Sequence, residues 1–232
     1  MPTPTKNKDE GRLLIVCARD ECGGPARLLQ QLFGDRLGCE VVIGTDQVDL
    51  WRSEVEAATR GVVLLQTKSV LCDAVRLLQL FLATKLRRSL VCVNVVGGGY
   101  DFAKAKPLLL SLSSELPVGQ MMALRTELIA QDMGVGQLAS SLSRAVPNAI
   151  SVFFNPAAGD AMVDAAVRDI VHKLEHGSEL LRRGVIQNTS TKRTLKMAGK
   201  LVALSTRGAP KEVELSRAET ASASGAPDER QV

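Results

Sequence analysis

The hydrophobic pattern of the chain alternates between short β-rich runs and amphipathic stretches of helical period. At its centre, an apolar run from Gly61 to Leu65 precedes a helical pattern from about Ser69 to Leu86 and a second apolar run from Leu90 to Val96. Two such runs separated by a helix predict a βαβ unit with parallel strands buried on both faces. The apolar stripe of this helix repeats every three or four residues, at Leu71, Ala74, Val75, Leu78 and Leu82.

The same alternation continues on both sides of the central unit. Further strands are predicted at 12–18, 38–43 and 150–154, and further helices at about 25–33, 52–59, 103–116, 120–132, 136–145 and 160–174. Five strands alternating with helices predict an α/β fold: a flavodoxin-like, doubly wound, five-stranded parallel sheet with helices on both faces. The periodicity ends near residue 177. We therefore predict a domain at 11–177, a disordered N-terminus at 1–10 and a basic, largely disordered tail at 178–232.

The net charge of +4 does not come from the predicted domain. Residues 178–232 contain ten Lys and Arg against six Asp and Glu, so the first 177 residues are neutral. A neutral domain lacks the basic face expected of a nucleic-acid binder. With one Trp and one Tyr, the chain also has few aromatic side chains that could stack on bases. We therefore predict no nucleic-acid partner.

The cysteines and the N-terminus bear on the compartment. The five cysteines form an odd set without a C-x-x-C pair, which favours free thiols in a reducing environment. Residues 1–10 lack the apolar region of a signal peptide, and no apolar run is long enough to span a membrane. We expect a cytoplasmic protein without a membrane span.

Several chemistries find weak support in the residues. His172 and His176 are four residues apart on a predicted helix, but only Asp169 or Glu175 could complete a metal site there. The stretch 19–24 is predicted to be a polar turn before a helix that starts at Pro25. Its acidic pair, Asp20 and Glu21, and its lack of a phosphate-binding glycine pattern disfavour a nucleotide loop. We predict neither a metal nor a cofactor.

Two local features have competing interpretations. Gly97, Gly98 and Gly99 follow a predicted strand, where they could admit a ligand or form a flexible turn, and we favour the turn.

A phospho-acceptor receiver domain is an alternative interpretation of the fold, because it has the same sheet and would use Asp20 and Glu21. It also needs an aspartate after the third strand and a lysine after the last, where this chain has Gln66-Thr67 and Asn155-Pro156.

The segment from Val70 to Leu80 (VLCDAVRLLQL) resembles the third-helix box of TIR (Toll/interleukin-1 receptor) domains. In that box Trp-Cys, two variable residues and then Glu-Leu follow the third strand. Val75 and Arg76 stand here at the Trp-Cys positions, and Gln79 stands at the position of the glutamate. The strand, Gly-Gly-Gly-Tyr-Asp-Phe and helix passage after Val96 is also similar to TIR-like domains of algal and other protist proteins.

The resemblance implies a signalling module, and position 79 bears on catalysis. The glutamate at that position is catalytic in the members that cleave NAD, where a carboxylate stabilises the positive charge of the transition state. Gln79 brings no such charge. We therefore expect a non-catalytic module, with an NAD glycohydrolase that releases nicotinamide as the alternative. In that alternative Asp73, or Asp20 and Glu21, would supply the carboxylate.

The resemblance also implies how the module would associate. In TIR domains the loop after the second strand is the one most used for homotypic contact, and it corresponds here to residues 44–51. We expect contact through this loop and an exposed side of the central helix, with interface residues Asp46, Trp51, Arg76 and Leu80. Trp51 either packs at the start of the next helix or is an exposed anchor, since tryptophan is enriched at binding hot spots. The predicted partner is a second copy or another TIR-containing protein.

Overall fold

The computed structural model describes residues 11–47 and 49–176. Its strands are β1 (Arg12–Val16), β2 (Glu40–Ile43), β3 (Gly61–Gln66), β4 (Leu90–Val95) and β5 (Val152–Phe154). Its helices are α1 (Arg19–Leu37), α2 (Trp51–Ala57), α3 (Ala74–Lys85), α4 (Phe102–Leu110), α5 (Leu112–Glu115), α6 (Val118–Ile129), α7 (Val135–Ala145) and α8 (160–176). A 3-10 turn at Val70–Cys72 precedes α3.

The five strands form one sheet in the order β2-β1-β3-β4-β5, and every neighbouring pair is parallel. The central unit is as predicted, with Val62 opposite Leu90 and Leu64 opposite Cys92 in the register of β3 and β4. Parallel neighbours need crossover connections, and the helices between the strands supply them. The predicted flavodoxin-like, doubly wound fold is confirmed.

Two hydrophobic cores flank the sheet because successive side chains of a strand point to opposite faces. Leu14, Val16, Val62 and Leu64 pack on the side of α2, α3 and the helices from α4 to α7. Leu13, Ile15, Val63 and Leu65 pack on the side of α1 and α8. All eight side chains are fully buried, as expected for central strands of a doubly wound sheet.

Helix α3 is buried on all its sides rather than on one. Every residue from 74 to 83 is buried, including Leu77 and Leu80 opposite the predicted stripe. The sheet covers one face of α3, while α2, α6 and α7 pack on the others. The expectation of an exposed side around Arg76 to Leu80 is therefore wrong, because the helices after β4 form a further layer over it.

Helix α1 begins earlier than predicted, at Arg19, and the expected polar turn is helical. Its regular geometry breaks at Cys22, where φ is −142° and ψ is 27°. Pro25 lies in the first turn after this break, where its missing N–H leaves no helical hydrogen bond unmade. The sequence signal at Pro25 thus marks the start of the second, longer part of α1.

Strand β2 lies at one edge of the sheet, and side chains from α1 occupy part of its outer edge. Gln30 Nε2 donates to the carbonyl oxygen of Val41 at 2.8 Å, and Arg19 Nη2 donates to that of Ile43 at 3.2 Å. These bonds satisfy two carbonyl groups that a neighbouring strand would otherwise use. Capping of this kind protects an edge from pairing with another chain.

All described residues belong to a single compact unit. Within 11–47 and 49–176, no helix is long and apolar enough to cross a membrane. The predicted boundary at residue 177, the N-terminus at 1–10 and the tail at 178–232 lie outside the described residues.

The burial of α3 generates a stability prediction at Leu80. We expect Leu80→Ala to lower the free energy of unfolding by about 2–5 kcal/mol, since it removes a fully buried side chain and leaves a cavity. Leu86→Ala is the matched control at the end of the same helix, where the side chain is 41% exposed, and it should cost less than about 1 kcal/mol. Urea denaturation measures both. Equal small losses would mean that Leu80 lies on the surface.

Candidate functional site

Arg76 connects α3 to the loop that leaves β2. Only 1% of its surface is exposed, so its guanidinium group has to find partners inside the protein. Nη1 donates to the carbonyl oxygen of Thr45 at 2.5 Å, and Nη2 forms an ion pair with the carboxylate of Asp46. Burial lowers the pKa of Arg76, yet an arginine at this site stays charged. The guanidinium therefore anchors the first part of the β2–α2 loop, residues 44–47, onto α3.

Arg19 holds the same loop from the other side. Its Nη2 and Nε donate to the carbonyl oxygen of Gly44 at 2.9 and 3.2 Å, and its Nε lies 3.8 Å from Asp46. The carboxylate of Asp46 thus faces two arginines. Its side chain is 59% exposed, which makes it the solvent-facing end of this polar cluster.

Gln79 is the buried end of the cluster, with none of its surface exposed. Its Nε2 donates to the Glu54 carboxylate at 3.3 Å, and its Oε1 accepts from Arg76 Nη1 at 3.4 Å. Gly44 packs directly against the amide, since a Cβ atom there would lie 2.8 Å from Gln79 Nε2. The amide is therefore satisfied internally and is covered by the backbone at the carboxyl end of β2.

Glu54 is a site residue that the sequence interpretation missed. Its Oε2 accepts the backbone N–H of Thr45 at 2.9 Å in addition to the amide of Gln79. The carboxylate that is hydrogen-bonded to Gln79 thus comes from α2. The available signal was its position three residues after Trp51, because residues three apart share one side of a helix and Trp51 is buried.

Three of the four predicted interface residues lie in the interior. Trp51 is 1% exposed, Arg76 1% and Leu80 0%, so none presents a surface to a partner in this conformation. Trp51 packs in the core with Val55 at the start of α2, as the first of its two interpretations predicts. Asp46 alone is exposed. Among the described residues of the β2–α2 loop, Asp46, Gln47, Asp49 and Leu50 are exposed, and Leu50 is 48% exposed.

Two of the other candidate carboxylates, Asp73 and Glu21, have structural partners. Asp73 caps α3 by accepting the backbone N–H of Arg76 at 2.9 Å. Glu21 accepts the N–H of Ser69 at 3.1 Å and so ties α1 to the β3–α3 loop. Burial raises the pKa of Glu21, but nearby donors, among them the backbone N–H of Ser69, outweigh that effect and leave the pKa below its ordinary value. Within residues 11–47 and 49–176, neither carboxylate forms a hydrogen bond with Gln79.

The glycine run after β4 is a turn. Gly97 and Gly99 have φ of 82° and 70°, in the region that only glycine adopts without strain. A Cβ atom at Gly98 would lie 3.0 Å from the carbonyl oxygen of Val95 and 3.1 Å from Thr67 Cγ2. These glycines thus allow the backbone to turn tightly and to pack closely against Val95 and Thr67.

The two histidines stack on each other at the end of α8, with ring centroids 4.2 Å apart. His176 Nδ1 lies 2.9 Å from the carbonyl oxygen of His172. Over residues 11–47 and 49–176, no group of three or more His, Cys, Asp or Glu side chains is arranged to hold a metal ion.

Neither protein-family models nor curated proteins match this chain. The resemblance of the segment from Val70 to Leu80 to the TIR third-helix box therefore rests on its residues alone.

The contact of Gly44 with Gln79 predicts a cost for any side chain at position 44. Gly44→Ala should lower the free energy of unfolding by about 1–3 kcal/mol, because the new methyl group displaces a buried, hydrogen-bonded amide. Gly119→Ala is the control, since a Cβ atom at that helical glycine meets nothing within 4 Å. The control should be neutral or stabilising by up to about 1 kcal/mol. A neutral Gly44→Ala variant in thermal denaturation would show that the contact is loose.

The role of Arg76 predicts that its shape matters and not only its charge. Arg76→Lys should destabilise the fold by about 1–3 kcal/mol, because an ammonium group cannot reach Thr45, Asp46 and Gln79 together. Arg52→Lys keeps a surface pair with Glu56 and should change stability by less than about 0.5 kcal/mol. Guanidinium denaturation compares the two. Equal losses of stability in the two variants would show that the shape of the Arg76 guanidinium does not matter to the fold.

Proposed function

We propose that this chain is a TIR-like signalling and interaction module that acts by association with a second copy or with another TIR-containing protein, and that it does not cleave NAD. One observation carries the proposal. At the position where the resemblance implies a catalytic glutamate, the chain has a fully buried glutamine. Its amide bonds to Glu54 and Arg76 and is covered by Gly44.

The buried glutamine supports a binding role through both charge and access. A neutral amide does not stabilise the positive charge that develops when the bond from nicotinamide to ribose breaks. A substrate would also have to displace the backbone at Gly44 to reach Gln79. The polar cluster instead holds a loop in a fixed shape. Pre-ordering a surface before binding lowers the entropic cost of association.

The proposed contact surface is the exposed part of the β2–α2 loop, formed by Asp46, Asp49 and Leu50. Its two carboxylates and one half-exposed leucine combine charge with an apolar contact. Trp51 and Arg76 support this surface from inside rather than touching the partner. Against a basic surface of the partner, acidic contacts of this kind accelerate association at low salt and are weakened by added salt.

A second candidate function, NAD cleavage, is favoured by one observation. The carboxylate of Glu54 lies 3.3 Å from Gln79 Nε2 and could supply the charge that Gln79 lacks. The same oxygen accepts the backbone N–H of Thr45 at 2.9 Å, which ties Glu54 to the loop. In this alternative the loop would have to open before NAD reached the carboxylate.

Measuring nicotinamide release separates the two functions. We expect the full chain to release no nicotinamide from NAD above background, and Gln79→Glu to show weak activity at best, because Val75 and Arg76 replace the Trp-Cys of the family box. Turnover by the wild-type protein that persists in Gln79→Ala and disappears in Glu54→Gln would contradict the proposal. It would establish Glu54 as the catalytic carboxylate.

Self-association tests the proposed surface. In sedimentation velocity at low salt, Leu50→Ser should weaken self-association about tenfold, as expected for a contact residue worth about 1.4 kcal/mol. The matched control is Leu86→Ser, at a leucine of similar exposure on another part of the surface. Equal effects of the two variants would reject the surface. A wild-type chain that stays monomeric at every concentration would reject the homotypic form of the proposal.

A further inference from the structure

A groove of about 640 Å³ runs between the outer edge of β2 and the start of α1. This volume is within the range of small-molecule sites in proteins. The strand lines the groove from Val41 to Ile43, and α1 lines it at Gly23 and Gly24. A Cβ atom at either glycine would meet nothing within 4 Å. Glycine is a weak helix former, and no close approach of the chain requires it at these two positions. The two glycines leave the groove open.

The edge of β2 offers this groove hydrogen-bond donors whose acceptor neighbours are already occupied. Gly44 donates its N–H to β1 at 2.8 Å, and alternate residues of a strand face opposite sides, so Val41 and Ile43 face the groove. Their carbonyl oxygens accept from Gln30 and Arg19 at 2.8 and 3.2 Å. Their N–H groups have no hydrogen-bond partner in the part of the chain that the structure describes.

This difference between donors and acceptors selects the class of ligand. A peptide that adds a strand to a sheet edge brings N–H and C=O groups in alternation and needs both kinds of partner. The carbonyl oxygens on this edge are already bonded to side chains. An oxyanion brings acceptors alone, and backbone N–H groups are common partners of bound anions. The edge therefore fits a phosphate or carboxylate group better than an added strand.

The charges that line the groove favour the same ligand. Arg27 is exposed there and forms no hydrogen bond or ion pair with any other described residue. The carboxylate that lines the groove belongs to Glu40, and it is paired with Arg12 at 2.7 Å. An arginine can bind a phosphate or a carboxylate through two parallel hydrogen bonds. Arg27 is therefore a cation that a bound anion could neutralise.

The acidic pair that disfavours a nucleotide loop in the sequence does not line this groove. The lining residues include neither Asp20 nor Glu21. Glu21 instead accepts the backbone N–H of Ser69 at 3.1 Å, in the loop that follows β3. Strand β3 lies on the other side of β1 from β2. The repulsion expected from the sequence therefore does not apply to an anion at the edge of β2.

We propose that this groove is a binding site for a small anionic molecule that carries phosphate or carboxylate groups. Oxygen atoms of the anion accept hydrogen bonds from the N–H groups of Val41 and Ile43, and the guanidinium group of Arg27 pairs with its charge. The proposal does not depend on the function proposed above. Nicotinamide release and self-association test that function, whereas ligand binding at β2 tests the groove.

Nuclear magnetic resonance of the ¹⁵N-labelled full chain tests the site directly. The protein is titrated with pyrophosphate and, separately, with citrate, at constant ionic strength. We expect the amide signals of Val41 and Ile43 to shift and saturate with a Kd of about 1 mM or lower for at least one anion. The amide of Phe153, on β5 at the opposite edge of the sheet, should not shift.

The two anions identify the chemical group that is bound. Saturation by pyrophosphate alone indicates a phosphate ligand, saturation by citrate alone a carboxylate ligand, and saturation by both a general oxyanion site. Each of these results supports the proposal. Shifts at Val41 and Ile43 that do not saturate with either anion, or that are no larger than the shift at Phe153, would overturn it.

Replacing Arg27 tests the charge that the groove contributes. Arg27→Gln should raise the Kd at least about tenfold, because it removes a charged donor. Arg125→Gln is the matched control, since Arg125 is an exposed arginine on α6, whose buried residues pack on the other face of the sheet from α1. The control should change the Kd less than about twofold. Equal losses in the two variants would show that net charge alone attracts the anion, which would overturn the site.

Filling the groove tests its shape. Gly23→Leu should weaken binding at least about tenfold, because the new side chain takes up space that the ligand needs. Gly119→Leu is the control, a helical glycine on α6 at which a Cβ atom also meets nothing within 4 Å. Thermal unfolding checks that both variants fold. Unchanged binding by a folded Gly23→Leu variant would contradict the proposal, and if that variant does not fold, the comparison of Arg27→Gln with Arg125→Gln decides.

Discussion

The structure depends on one buried charge. The guanidinium group of Arg76 lies inside the domain, where an unpaired cation would cost several kcal/mol. Its donors therefore set the positions of the groups around it. The guanidinium group contacts the carbonyl oxygen of Thr45, the carboxylate of Asp46 and the amide of Gln79.

That constraint reaches from α3 to two other elements. The amide of Gln79 donates to Glu54 of α2, and Glu54 also accepts the backbone N–H of Thr45 in the loop. A closed ring of hydrogen bonds of this kind is worth more than separate pairs, because each member satisfies a group that would otherwise be buried alone. The ring explains how a loop without regular structure keeps a defined surface, and why Gly44 must lack a side chain.

The fold could be predicted because the hydrophobic patterns that determine it are local in the sequence. The β-rich runs and the helical periodicities lie along the sequence, and a doubly wound sheet follows from their order. The site depended on a packing arrangement that periodicity does not show. Arg76 and Gln79 look like an exposed face on a helical projection, yet the β2–α2 loop and Glu54 of α2 cover that face. Glu54 escaped prediction because its partner, Gln79, is 25 residues away in the chain.

The most direct test of this account is amide hydrogen exchange in the β2–α2 loop. The N–H of Thr45 donates to Glu54 inside the ring, whereas the N–H of Gln47 donates to the hydroxyl of Thr45 in an exposed position. If Arg76 and its partners hold the loop, the amide of Thr45 should exchange at least about 100-fold more slowly than that of Gln47. Equal, fast exchange of the two amides would show that the ring does not form in solution.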